Sequence, residues 1–226
     1  MLSPAHDGTR LRCEEAREQG GRDGRESSDD RFHDMKDSRS MFPILVEGPA
    51  VEPVPLPEMK AHLRVDDDQE DELIGGLVTA ARLMVEASAR RILIAQSWRL
   101  MLHRWPQGGT VLLPLSPLLS VESVQVYDAS GTPEVLPPED YESDLASDPP
   151  RILFRRMPEP GRMQSGIAID LRAGYGETPE DVPATLRLAI RILVARWYEN
   201  RGDVAGPQAL PPEALSLVAP FRRARI

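Results

Sequence analysis

Hydrophobic positions repeat with a helical period in two separated stretches of this chain and alternate with a period near two between them. The longest helical stretch is Val182–Asn200, VPATLRLAIRILVARWYEN. Pro183 stands where a first turn accepts proline, and no glycine or proline follows until Gly202. Steps of about 100° per residue align Leu186, Ile190, Leu193 and Trp197 in one stripe. Ala189, Val194 and Tyr198 broaden that stripe, and Leu188 and Ile192 fall towards the opposite side. Only Arg187, Arg191, Arg196, Glu199 and Asn200 are obvious wet positions. A surface helix carries one apolar stripe, so this pattern predicts packing on more than one side, against other parts of the chain or another subunit.

The earlier helical stretch has two parts. Leu56-Pro57-Glu58 opens a short helix over 57–64, with proline and an acid both suited to its first turn. Asp66, Asp67 and Asp68 follow, one of them expected to cap a second helix over 69–91. In that helix Leu73, Ile74, Leu77, Val78, Ala81, Met84 and Val85 share a broad apolar face, with Arg90 and Arg91 at the C-terminal end. Gly75 and Gly76 each cost about 1 kcal/mol relative to alanine in a helix interior. Such a pair marks close approach by another helix or a bend.

From about 95 to 173 the period shortens. Ser97–His103, Thr110–Leu115, Val121–Tyr127, Tyr141–Ser143, Arg151–Phe154 and Gly166–Ala173 read as strands, separated by turns rich in proline and glycine. Short spacers of this kind belong to an antiparallel module and not to parallel strands with helical crossovers. The predicted class is therefore α+β: two N-terminal helices and one long C-terminal helix packed together, with a β-rich insertion. Met41–Pro57 reads as extended and proline-rich, and a short helix is expected at Glu213–Val218. Residues 1–40 mix both signs of charge with glycine and serine and show almost no apolar pattern, the composition of a disordered or misassigned leader. The folded part, 41–219, is expected to begin effectively at Met41, and 220–226 form a tail.

Charge divides the chain unevenly. The net charge is -9, but the segment from Pro183 onward holds seven arginines against Glu199, Asp203 and Glu213, leaving +4 there and -13 before it. An acidic body opposes a principal role in gripping DNA phosphates. No apolar run approaches the roughly 18 residues of a membrane span. Cys13 is the sole cysteine, so neither a disulfide framework nor a cysteine metal cluster is available.

Chemistry-bearing motifs are scarce. The histidines are His6, His33, His62 and His103, and none belongs to an HExxH or zinc-ligand spacing. His103 reads as a partly buried structural residue. Gly174-Tyr175-Gly176 lacks the spacing of a dinucleotide or phosphate loop and reads as a tight exit from the last strand. No serine has the flanking glycines of a nucleophile elbow. These patterns nominate no catalytic, cofactor-binding or metal-ligating residue.

An ordered set of phrases carries more information. KAHLRVDDDQED is followed by AARLMVEASARR, AQSWRLMLHRWP, PLLSVESVQVYDASG, LRAGYG, VPATLRLAIRILVARWYENR and LSLVAPFRRARI. Over about Leu56–Arg225 this order resembles the head–tail connector (adaptor) family of tailed bacteriophages, prophages and phage-derived gene transfer agents. The resemblance implies a non-enzymatic protein without cofactors that forms a homo-oligomeric ring, commonly of twelve subunits. The ring would sit beneath a portal protein in the particle neck, with a tail or stopper protein below and DNA passing through without tight binding. Before assembly such a protein would reside in the host cytoplasm.

By the matching phrases Leu186, Ile190, Leu193, Val194 and Trp197 fall on the core helix, as candidates for core or subunit packing. Arg222, Arg223 and Arg225 fall on the terminal segment, which engages the portal in related connectors. No acid follows Glu213 to neutralise them, and Phe221 and Ile226 add apolar anchors, so these five residues form a candidate portal-docking tip. The alternatives are a nucleic-acid module using the basic C-terminal end and an unrelated non-enzymatic interaction protein. No aromatic platform interleaves the arginines as a single-strand binder requires.

Overall fold

The computed structural model describes residues 41–201 and 210–222. The leader 1–40 and the tail residues Arg223, Arg225 and Ile226 lie outside the described residues. Helices α1 (Leu56–Leu63), α2 (Asp71–Ala89), α3 (Ala184–Glu199) and α4 (Pro212–Val218) build one apolar cluster. Its centre is made by Met59 of α1, Ile74, Val78 and Val85 of α2, Leu186, Ile190, Leu193 and Val194 of α3, and Val218 of α4. Helices α2 and α4 each pack along α3 and α1 touches it, while Leu188 on its opposite side stays 37% exposed.

The second cluster lies between two antiparallel sheets. Five strands run in the order β1 (Met41–Glu47), β2 (Gln96–Leu102), β8 (Ile167–Ala173), β4 (Leu118–Tyr127), β5 (Pro133–Val135). Three more run in the order β3 (Thr110–Leu112), β7 (Arg151–Phe154), β6 (Tyr141–Asp144). β2 and β8 pair without a slip from Gln96↔Ala173 to Leu102↔Ile167, so the module leaves the helical body and returns to it at adjacent points. That register sets Leu100, Ile169 and Val124 on the inner face and Arg99, Asp170 and Ser123 on the outer one. Val111, Ile152 and Phe154 of the smaller sheet complete the inner core.

Three local details differ from the sequence expectation. Met41–Glu47 is a true edge strand, pairing with β2 and joining the sheet from outside the 95–173 segment. None of the three aspartates caps α2: its N-cap is Glu70, and Asp67 instead accepts the Gln69 N–H at 3.0 Å. Lys60 holds Asp68 and Asp71, each at 2.6 Å, which turns that acidic stretch into a brace between α1 and α2. Helix α2 ends at Ala89 because Arg90 adopts a left-handed conformation (φ 55°), which brings the Arg90 and Arg91 N–H groups back to the Glu86 carbonyl.

The exit at Gly174-Tyr175-Gly176 has the tight form expected of it. Gly174 has φ 143°, and a Cβ there would stand 2.5 Å from the Ile94 carbonyl carbon. Its N–H donates to Pro117, that of Tyr175 to Leu93, and that of Ala95 to Gly176. These bonds fasten the base of the module to the segment leading out of α2.

Candidate docking surfaces

The structure gathers Leu186, Ile190, Leu193 and Val194 in the chain's own helical core, with Trp197 packed at its margin. The basic positions of α3 are occupied internally as well. Glu58 of α1 accepts from Arg187 at 2.6 Å and from Arg191 at 2.7 Å. Glu70 binds both arms of Arg201, at 2.5 and 2.8 Å, and also accepts the Tyr198 hydroxyl. Arg201 in turn lies over the Tyr198 ring, 4.2 Å from its centre. The guanidinium and the hydroxyl together hold the Glu70 carboxyl down at about 2. Three of the arginines that make the C-terminal region basic are thus paired with two acids of the N-terminal helices, Arg187 and Arg191 sharing Glu58.

Of the five candidate tip residues, the described residues include Phe221 and Arg222. Phe221 is half-buried against the helical core, and its carbonyl accepts from Arg91 Nε at 3.2 Å. Arg222 is exposed and donates from Nε to the Ser88 carbonyl at 3.3 Å, one of the carbonyls that the end of α2 leaves without a helical partner. The start of the tail is therefore seated on the C-terminal end of α2. Val218 and Ala214 just before it are fully buried, so this end of the chain contributes to the core instead of hanging free of it.

Arg91 is the residue that sequence reasoning missed. Besides Phe221, its guanidinium donates to Ser116 Oγ at 2.6 Å and to Asp148 Oδ2 at 2.6 Å. One side chain thus joins the exit of α2, two loops of the β module and the C-terminal segment. The partners are up to 130 positions away in sequence, and a helix-end arginine reads from sequence only as a complement to the dipole.

The remaining polar groups form structural networks. Arg82 of α2 is buried and donates to Glu52 at 2.8 Å and Glu86 at 3.0 Å. Glu86 also accepts from the Leu93 N–H and the Gln96 amide, each at 2.9 Å. Burial pushes its carboxyl up despite those donors. On the outer face of the larger sheet, Asp170 accepts two bonds from Arg99, at 2.7 and 3.1 Å, and one from Ser123 at 2.9 Å. The Arg99 fork, aided by Ser123, holds this carboxyl below its usual range. His103 accepts the Ser165 N–H at 2.9 Å on Nδ1 and meets the Phe42 ring at a tilt of 53°. Among the described residues no group of three His, Cys, Asp or Glu side chains gathers in a way that could hold a metal ion.

No known family profile matches the chain, and no curated protein does. Solved structures do. A chain in the neck of an empty gene transfer agent particle, computed with C6 symmetry, superposes with a TM-score of 0.68 at 27% identity, covering 81% of this chain and 97% of that one. A chain from the virion of a native gene transfer agent particle gives 0.68 at 26% identity, over 82% and 97%. A third, from the neck of a native particle computed with C12 symmetry, gives 0.62 at 28% identity, over 81% and 97%. Almost the full length of each neighbour is matched, helices and sheets together, so the likeness concerns the whole arrangement and not one shared motif. This whole-chain likeness to components of gene transfer agent particles supports the resemblance to the head–tail connector family of phages and gene transfer agents.

Proposed function

We propose that this protein is the adaptor of a phage or gene-transfer-agent neck: a ring beneath the portal that joins the DNA-filled head to the tail and lets DNA pass. The observation that carries the reading is the likeness, over 97% of their length, to chains from gene transfer agent necks at 27–28% identity. It is a structural component of the particle and not an enzyme. C6 and C12 symmetry in the neighbours' assemblies supports a ring of repeated copies, and twelve is the number we adopt. The acidic body supports easy DNA passage, because carboxylates around a channel do not hold phosphates. A nucleic-acid-binding role is disfavoured by the pairing of Arg187, Arg191 and Arg201 with Glu58 and Glu70.

Within this reading the tail, 220–226, docks on the portal. Phe221 and Arg222 anchor its start to the end of α2, and Arg223, Arg225 and Ile226 supply the charge and apolar group offered to an acidic partner groove. A tail or stopper protein occupies the opposite side of the ring. Imaging intact particles that carry a tagged copy of the chain tests the assignment. The tag should appear as a ring between portal and tail, and particles with that position filled by another protein would defeat it.

A further inference from the structure

We propose that the outward face of α2 is the surface through which one copy of this chain packs against the next in the ring. This rests on the neck-ring reading above. The face runs through Leu73, Gly76, Ala80, Leu83 and Ala87, all exposed, with Leu73 at 42% and Leu83 at 54%. Their spacing of three and four residues makes a single stripe along a helix of 19 residues. Between Glu72 and Arg90 the helix has only two charged side chains, Arg82 and Glu86, and both are buried in the body. A helix face whose final neighbour is water carries charged and polar groups. Between Glu72 and Arg90 this one carries none.

The glycine pair points the same way. A Cβ built on Gly75 or Gly76 meets nothing within 4 Å, and α2 runs through both without interruption. Neither close packing by the described residues nor a bend accounts for them. Alanine would fit both positions in the free chain and favour the helix. Glycine's remaining use is to let another backbone or a bulky side chain approach closely, and no described residue of the chain makes that approach. The occupant is a second copy, because the similar chains sit in assemblies of C6 and C12 symmetry, where each copy has copies as neighbours. Rotation beyond twofold closes only through head-to-tail contacts, so the α2 face must meet a different surface of the next copy.

The test uses particles whose full-length chain carries the photo-crosslinking residue p-benzoylphenylalanine in place of Leu83. Illumination should give a product of twice the chain mass, with the attached peptide outside α2. A product with a different protein, an α2-to-α2 product, or no product in particles that contain the chain would overturn the proposal. Particles lacking the chain would instead remove the neck reading beneath it. Gly76→Gln provides a second measurement that misfolding does not imitate. The free chain should melt about 1–2 °C higher, while its incorporation into particles falls at least tenfold. Leu153→Asp, at a comparably exposed leucine (46%) on β7, should incorporate normally. Normal incorporation of Gly76→Gln would overturn the proposal.

Discussion

On the sheet module, the outward face of β2, β8 and β4 carries Arg99, Asp170, Ser123 and Gln125 bonded to one another, whereas the outward face of α2 carries leucine, alanine and glycine. The interiors reverse this order. The module's core is filled by Leu100, Val124, Ile152, Ile169 and similar side chains, and the helical body buries Arg82 and Glu86 beside its apolar cluster. A solvated sheet face can hold charges cheaply, because water screens them and supplies any missing bond. A buried helix face holds charges only when each finds a protein partner, and an uncharged outward face awaits a protein neighbour of its own. The two regions thus differ in what lies beyond their surfaces as much as in secondary structure.

The sharpest way to break this comparison is to remove one arginine from each region. Arg82→Ala leaves Glu86 buried with less compensation, at side-chain exposures of 6% and 9% for the pair, and should lower stability by about 3–5 kcal/mol. Arg99→Ala acts on a more solvated pair, 39% and 22% exposed, and should cost about 1 kcal/mol or less. Urea denaturation of both variants measures the ratio. Equal losses would show that the two networks are not distinguished by burial.

Legibility in the sequence followed the same division. Periodicity located α2 and α3, and alternation located the strands at 97–103, 121–127 and 166–173, because each of these buries one regular face. It did not locate β1 as a paired strand: Met41–Glu47 is an edge with exposed Phe42, Ile44, Leu45 and Val46, and its pairing with β2 depends on a contact more than 50 residues away. The aspartates at 66–68 looked like caps because local chemistry favours that use, but Lys60 captures Asp68 and leaves Glu70 at the N-cap. Of the docking candidates, the sequence showed that Arg222 was unopposed locally. It could not show Ser88 as its acceptor or Arg91 as the clamp, since both are properties of the fold.

A smaller effect separates the two described tip residues. Phe221→Ala removes a half-buried ring from the helical cluster and should lower stability by about 1–2 kcal/mol. Arg222→Glu removes a bond from an exposed side chain and should stay within about 0.5 kcal/mol. Thermal melts and a pull-down with purified portal together sort the roles. Phe221→Ala should change the melt, and Arg222→Glu should change portal binding alone. A destabilised Arg222→Glu chain would mean that the tip is part of the fold and not a docking element.

The smallest effect is an acid titration, and it contrasts two carboxyls at opposite ends of α2. Arg201 and Tyr198 lower Glu70 to about 2 from an ordinary 4.5. A depressed folded pKa stabilises the fold above the unfolded value, and that contribution is lost as pH falls from about 4.5 through about 2. Glu86 has the opposite sign. Burial raises its folded pKa, so its contribution is fully present below the unfolded value and is lost as pH rises through the folded one. Carboxyl-resolved NMR titration should find Glu70 still ionised where ordinary glutamates are half protonated, with Glu86 protonating before them. Arg201→Ala should return Glu70 most of the way to 4.5 and leave Glu86 unmoved, because the Glu86 shift is dominated by burial. Added salt should raise the Glu70 midpoint, since its partners face water, and should change Glu86 little. A Glu70 midpoint near 4.5 in the unaltered chain would mean that the Arg201 bond does not persist in solution. The pairing of the C-terminal arginines with the N-terminal helices would then rest on Glu58 alone.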